Sequence, residues 1–167
     1  MRLPGPRFTL AVALWLPACA DSAHEQPEFD HDPVVAEIEA SLRAEIQSFE
    51  SKDCDAVLAF YEDREPLFVV GGRTMQGRAD LGAACPGITA RIPDGATRPV
   101  ASEHIYALSP RSGYSVTEFR IRSGPGGPPT SQFVTKVWSK TGGSWRIVQL
   151  HESVAPAGSS PGVGTGS

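Results

Sequence analysis

Several features that usually indicate a function are missing from this sequence. It has no glycine-rich phosphate-binding loop and no pair of histidines or cysteines at the spacing of metal ligands. Ser153 does not lie in the glycine pattern of a nucleophile elbow, which argues against a serine hydrolase. We therefore predict neither a metal site nor a cofactor.

Positive charge is also scarce. The chain has 15 lysines and arginines against 19 aspartates and glutamates, a formal net charge of −4, and its basic residues form no cluster. A net acidic surface of this kind argues against a nucleic-acid partner.

The hydrophobic run from Phe8 to Leu16 is too short to span a bilayer. Because Arg2 and Arg7 precede it, residues 1–18 have the pattern of a secretory signal peptide. Removing this leader would change the formal charge from −4 to −6, since it holds two arginines and no acidic residue.

Two cleavage sites compete at the end of the leader. Residues 16–19, Leu-Pro-Ala-Cys, resemble a bacterial lipobox, in which Cys19 becomes the lipid-modified N-terminus. Residues 18–20, Ala-Cys-Ala, equally fit an ordinary signal peptidase. We favour a protein exported to the cell envelope and anchored to the membrane by lipid at Cys19; a soluble periplasmic or secreted protein is the alternative.

One domain of ordinary size remains between two polar ends. Residues 19–32 read as a disordered acidic tether and residues 154–167 as a disordered tail of glycine, proline and serine, which leaves residues 33–153 as the domain. It contains Cys54 and Cys85. In an oxidising compartment this even pair predicts a disulfide, and two buried thiols are the alternative.

The first half of the domain is predicted to be mainly helical. Asp32-Pro33 begins an amphipathic helix whose polar faces include Glu45. A second helix follows Asp53 and includes Tyr61 in its apolar stripe, and a third runs from Arg78 to Cys85 and is ended by Pro86-Gly87. The apolar stripe of the first helix is Val35, Ile38, Leu42, Ile46 and Phe49.

The second half is predicted to be β-structure. A short strand, 67–70, already precedes the third helix, and four longer runs follow that helix at 100–108, 114–122, 132–140 and 144–152. Their short connections favour an antiparallel meander, and helices before strands indicate an α+β domain with the helices packed on the sheet.

Strand alternation divides the last run into two faces. Trp145 and Ile147 would share one face with Gln149, His151 and Ser153, whereas Arg146, Val148, Leu150 and Glu152 would share the other. Both faces carry large apolar residues, so alternation alone does not identify the face that lines a pocket.

Two short motifs accompany this order of elements: Gly77-Arg78-Ala79-Asp80-Leu81 and the ending Trp145-Arg146-Ile147-Val148-x-x-His151-x-Ser153. Together with the order of elements, they resemble the nuclear-transport-factor-2-like superfamily, and within it the SnoaL-like branch of small stand-alone domains. The resemblance covers about residues 33–153. It implies a cone-shaped fold, in which a strongly curved, mostly antiparallel sheet wraps around the N-terminal helices and leaves a pocket at its open end. It also implies a homodimer formed through the sheet. Pro86-Gly87 departs from the family's pattern by shortening the third helix, which would alter the rim of the pocket.

The resemblance leaves the function open, because its members include ketosteroid isomerases, dehydratases, polyketide cyclases and epoxide hydrolases as well as domains that only bind or assemble. Our catalytic candidates are His151 and an acid/base pair of His104 with Glu118. Tyr61, Trp138 and His151 are candidates for ligand binding. The competing interpretations are a structural histidine, an exposed cross-strand pair, and core aromatic residues.

Three functional hypotheses follow. The one we favour is a domain that binds a small apolar ligand in its cone without catalysis. The second is an acid/base enzyme of the isomerase, dehydratase or cyclase type that uses His104, Glu118 or His151. The third is an assembly domain that binds another envelope protein through its sheet.

Overall fold

The computed structural model describes residues 29–64, 66–92, 98–122 and 129–155. The predicted signal peptide, Cys19 and nearly all of the tether and tail lie outside these residues. Among the described residues, no helix is long and apolar enough to cross a membrane. The elements are α1 (His31–Glu50), α2 (Cys54–Leu58), β1 (Leu67–Val70), β2 (Arg73–Gln76), α3 (Gly77–Thr89), β3 (Val100–Ser109), β4 (Ser112–Arg122), β5 (Pro129–Thr141) and β6 (Ser144–Ala155).

Six strands form one sheet in the order β2-β1-β6-β5-β4-β3. Strands β3 to β6 form the predicted antiparallel meander, and β1 pairs antiparallel with β2 and parallel with β6. The α+β class and the mostly antiparallel sheet are therefore confirmed. We call the face of the sheet that packs on α1 the inner face and the opposite one the outer face.

Helix α1 begins two residues before the predicted domain, because the Asp30 side chain caps it by accepting a hydrogen bond from the Asp32 amide. Its buried stripe contains Val34 in place of the predicted Val35. The prediction that Glu45 lies on a polar face is wrong, since Glu45 is buried. The buried residues of α1 are Val34, Ile38, Leu42, Glu45, Ile46 and Phe49.

The other two helices also differ from the prediction. Helix α2 ends at Leu58, so Tyr61 lies beyond it, where it forms a bridge with Ile147 of β6. Helix α3 continues through Pro86 to Thr89, although proline removes a helical hydrogen bond. The reason is burial: Gly77, Leu81, Cys85 and Thr89 recur every four residues on one buried face, and the Thr89 hydroxyl donates to the Cys85 carbonyl at 3.0 Å.

A β-bulge in β6 overturns the predicted division of its faces. Trp138 of β5 pairs with Ile147 and Val137 pairs with Gln149, so Val148 is an extra residue. The side chains before the bulge, Trp145 and Ile147, therefore share the inner face with Leu150 rather than with His151.

Helix α1 lies very close to the inner face at Gly113 of β4. A Cβ atom at this position would come within 2.5 Å of the Ile38 Cδ1 atom and 2.6 Å of the Tyr106 carbonyl oxygen. Ile38 Cδ1 is the end of a side chain and can shift, but the Tyr106 carbonyl is backbone of β3, so a side chain at position 113 would strain the pairing of β3 with β4.

The sulfurs of Cys54 and Cys85 form a disulfide that joins α2 to α3, with the Cα atoms 5.9 Å apart and 31 positions apart in sequence. Closing a loop of this length should stabilise the fold by about 3 to 4 kcal/mol through the entropy of the unfolded chain.

We expect a reductant to lower the free energy of unfolding by that amount, measured by urea denaturation. The Cys54→Ala/Cys85→Ala variant should unfold like the reduced protein and show no further response to reductant; an unchanged wild type in reductant would contradict this role.

Candidate functional site

The interior of the cone contains an ion pair and a hydrogen bond that meet at Glu45. This carboxylate is only 1% exposed. The Tyr61 hydroxyl donates to its Oε1 atom at 3.0 Å, and the Lys136 ammonium donates to its Oε2 atom at 2.5 Å. We call Glu45, Tyr61 and Lys136 the inner cluster.

Three separate elements bring the inner cluster together. Glu45 stands in the apolar stripe of α1, and Lys136 points from the inner face of β5, where it pairs with Leu150 on one side and Ser115 on the other. Tyr61 is fixed by its bridge to Ile147 and by an edge-to-face contact with Phe68, with ring centroids 5.1 Å apart. Apolar neighbours therefore hold the polar groups in place.

Burial changes the proton affinities of this cluster. Burial lowers the pKa of Lys136 from its usual value, and the neighbouring Glu45 carboxylate opposes that shift. The pKa of Tyr61 is raised well above its usual value, first by burial and then by the charge of Glu45. The phenol is therefore held in its neutral form, as a hydrogen-bond donor.

Two further polar groups lie beside the inner cluster on the inner face. Glu103 of β3 pairs directly with Thr117 of β4. One oxygen of Glu103 accepts a hydrogen bond from Arg43 at 2.9 Å. Within the described part of the chain, the other oxygen, Oε2, and the Thr117 hydroxyl are buried without a hydrogen-bond partner. Burial also raises the pKa of Glu103.

Arg98 lies at the end of the interior that is nearest to the C-terminus of α1. Its guanidinium packs over the Phe119 ring at 4.1 Å and donates to the Gln132 side chain, while its backbone amide donates to Glu50 at 2.7 Å. Burial lowers the pKa of Arg98, and the charges of Glu45 and Glu152 oppose this shift.

The structure places the predicted catalytic residues away from this interior. His104 and His151 are exposed on the outer face, and Glu118 lies on the same face. The Glu118 carboxylate accepts hydrogen bonds from Ser131 at 2.6 Å and Ser102 at 3.3 Å, and the bond from Ser131 is the main cause of its lowered pKa. The predicted pairing of Glu118 with His104 is thus replaced by bonds to two serines.

The predicted ligand-binding residues are divided between the two faces. Tyr61 and Trp138 are fully buried, and the Trp138 indole donates to Ser115 at 3.0 Å, as a core residue would. His151 is on the outer face. Sequence reasoning missed Glu45, Lys136 and Glu103; the signal for Glu45 was its spacing, because 38, 42, 45 and 49 step by four, three and four.

Two open grooves lie outside the interior, both beside the turn between β5 and β6. One, of about 460 Å³, is lined by residues that include Glu37, Lys140 and Trp145, and the other, of about 590 Å³, by residues that include Arg64 and Arg111. Neither reaches the inner cluster. In the ranges that the structure describes, no group of three or more histidine, cysteine, aspartate or glutamate side chains is arranged to hold a metal ion.

No protein-family model matches this chain, and no functionally curated protein matches it either. Solved structures do. A proposed dehydratase of the NTF2-like family from Streptomyces avermitilis is 16% identical with a TM-score of 0.64, covering 74% of this chain and 97% of its own. A protein of unknown function from the DUF3225 family of Pectobacterium atrosepticum is 21% identical with a TM-score of 0.62, covering 74% and 91%.

A proposed ketosteroid isomerase from Shewanella frigidimarina is similar as well, at 14% identity and a TM-score of 0.60, covering 68% of this chain and 92% of its own. Identities this low show the fold and no activity. The chain therefore has the cone-shaped nuclear-transport-factor-2-like fold, with its N-terminal helices packed on a curved sheet.

Proposed function

We propose that this domain binds a small molecule inside its cone, in contact with the inner cluster. The observation that carries the proposal is the buried ion pair of Glu45 and Lys136. Removing two charges from water costs several kcal/mol per ion, and well-packed apolar side chains often serve stability as well or better. A domain that only needed to fold would not require this pair, whereas ligand sites combine apolar walls with a few polar groups.

The surroundings of the inner cluster indicate the chemistry of the ligand. Lys136 and Arg98 are balanced by Glu45 and Glu152, so the interior favours neither an anion nor a cation. Among the residues that the structure describes, its buried side-chain atoms without a hydrogen-bond partner are the Thr117 hydroxyl and Glu103 Oε2. We therefore refine the expected apolar ligand to one that has an apolar body and one neutral hydroxyl or carbonyl group.

We favour binding because the three residues predicted to catalyse, His104, Glu118 and His151, have their side chains on the outer face. They therefore do not line the interior. If the domain has an acid/base activity, Lys136, Glu103 and Tyr61 are the groups that would contact the substrate. The solved structures of similar fold include a proposed dehydratase and a proposed ketosteroid isomerase, so turnover is one outcome that the binding experiment must be able to detect.

A second candidate function is self-association through the outer face. Tyr106, Leu108 and Phe133 are 48%, 55% and 37% exposed on this face, and the Tyr106 ring stacks on Tyr114 with centroids 4.7 Å apart. Neighbouring exposed apolar side chains of this size are typical of protein interfaces. We propose a homodimer as the occupant, with another envelope protein as the competing partner.

We also propose that the protein is exported and carries lipid at Cys19. The disulfide between Cys54 and Cys85 supports an oxidising compartment. Mass spectrometry of the mature protein should find an acylated N-terminus at Cys19. An unmodified N-terminus at Asp21 would instead indicate cleavage by ordinary signal peptidase after Ala20.

Variants of the inner cluster should separate its effect on stability from its effect on binding. Lys136→Met leaves a buried carboxylate without its counter-ion, so we expect the free energy of unfolding to fall by about 3 to 5 kcal/mol. The triple variant Glu45→Leu/Tyr61→Phe/Lys136→Met removes every polar atom of the cluster together and should recover most of that loss. Urea denaturation measures both.

Binding is then tested with neutral alcohols and ketones of about drug size by thermal shift. At a ligand concentration of about 100 times Kd, the wild type should gain about 2.7 kcal/mol, whereas the folded triple variant should gain nothing. His104→Ala/His151→Ala is the matched control and should bind like the wild type. Equal binding by the triple variant would refute the site. If the wild type converts one of these compounds and only the histidine variant fails to do so, the hypothesis of acid/base catalysis by His104 or His151 would be restored.

The homodimer has its own test, by light scattering of size-separated protein. Phe133→Glu should convert a dimer to a monomer, because it buries a charge in an apolar contact. Val154→Glu is the control, since Val154 is 51% exposed but lies near the end of β6, paired with Gln132 of the inner face. A wild type that is monomeric at micromolar concentration would exclude this candidate.

A further inference from the structure

The two outer-face histidines belong to one row of side chains that crosses four strands. His104 of β3 pairs with Val116 of β4, Val116 pairs with Thr135 of β5, and Thr135 pairs with His151 of β6. At about 4.8 Å between neighbouring strands, the two imidazoles stand about 14 Å apart, one at each end of the row. The row reads His-Val-Thr-His, with an imidazole at each end.

The rows on either side are mostly uncharged. Tyr106, Tyr114, Val137 and Gln149 form the row toward the turn between β5 and β6, and Ser102, Glu118, Phe133 and Ser153 form the row on the other side. Beyond β6, Val69 of β1 pairs with His151. The charged groups that neighbour the histidines on these packed strands are thus Glu118 and its ion-pair partner Arg120, at 3.3 Å.

The pKa of Glu118 is lowered from its usual value. Its carboxylate is held by Ser131, and this bond lowers its pKa further from the range in which imidazoles gain protons. Glu118 and Arg120 compensate each other in charge on this face. Histidine is the side-chain type that ordinarily becomes charged in mild acid, so acid adds positive charge to a face that has an imidazole at each end of one row.

The outer face has about the size that a stable dimer needs. Four strands cover about 19 Å in width, and the 11 residues of β4 extend over about 37 Å. The product is on the order of 700 Å², close to the roughly 800 Å² that each partner buries in a standard interface. A second copy therefore fits the face in area, and the compensating charges of Glu118 and Arg120 do not oppose it.

We propose that His104 and His151 make this self-association dependent on pH, so that the homodimer forms near neutral pH and dissociates in mild acid. The inference rests on the proposed homodimer. An isologous interface places the same patch of both copies in contact, so four imidazoles are buried in one dimer. Their charged forms lose hydration and repel one another there, whereas in the monomer they face water.

The direction of the effect follows from linkage. Because the dimer disfavours the protonated imidazole, protons bind more strongly to the monomer, and association is strongest above the usual titration range of histidine near pH 6.5. It weakens as the pH falls through that range. Each histidine that the interface disfavours by one pKa unit contributes a factor of ten, so a change of at least tenfold in the dissociation constant is expected between pH 8 and pH 5.5.

The experiment is sedimentation equilibrium of the full mature chain at both pH values. The wild-type dissociation constant should rise at least tenfold at pH 5.5, and His104→Asn/His151→Asn should remain dimeric with nearly equal constants at both. His24→Asn/His31→Asn is the matched control, since these are the other two histidines of the chain, and it should respond like the wild type. Circular dichroism at both pH values verifies that each protein is folded.

The outcomes distinguish the two proposals. A wild type that is monomeric at pH 8 refutes the homodimer itself. A wild-type dimer with equal constants at both pH values leaves the homodimer standing and refutes the role of the histidines. A pH response that persists in His104→Asn/His151→Asn but disappears in Glu118→Gln would assign it to the carboxylate and also overturn the inference.

Discussion

Burial of the Glu45 carboxylate is the constraint on which the interior of this protein depends. The residue stands in the stripe of α1 that faces the sheet, so the helix cannot pack without removing a charge from water. Both carboxylate oxygens are consequently bonded, one to Tyr61 and the other to Lys136. These bonds connect the N-terminal helix, the segment after α2 and the centre of β5.

The fold separates two surfaces with different chemistry. The inner face combines apolar side chains with the inner cluster and with atoms of Glu103 and Thr117 that have no hydrogen-bond partner among the described residues. This combination is the basis of the proposed ligand site. The outer face combines tyrosine, leucine and phenylalanine with the histidine row, which suits another protein surface. A single sheet thus serves both proposed functions, because alternate residues of each strand point to opposite sides.

The disulfide and the bulge shape the interior in different ways. Cys85 is bonded to Cys54 within the buried face of α3, so the helix is held against α2 on the N-terminal side of Pro86 and continues to the buried Thr89. Because Val148 is an extra residue in β6, the side chains of Trp145 and Ile147, which precede it, and of Leu150, which follows it, all face the core. Without that extra residue, His151 would face the inner cluster in place of Leu150.

The sequence by itself determined the class and order of the elements, because hydrophobic periodicity, capping residues and turn glycines act over a few neighbouring residues. It indicated α1, the short strand β1 and the antiparallel meander, and it made Tyr61 a candidate for ligand binding. The cone-shaped fold was implied by the resemblance to the nuclear-transport-factor-2-like superfamily. Only the tertiary structure decided which groups meet. Glu45 and Lys136 are separated by 91 positions in sequence, and their contact depends on how α1 crosses the sheet. The orientation of His151 depends on one bulge residue, since a shift of one position in a strand exchanges its two faces.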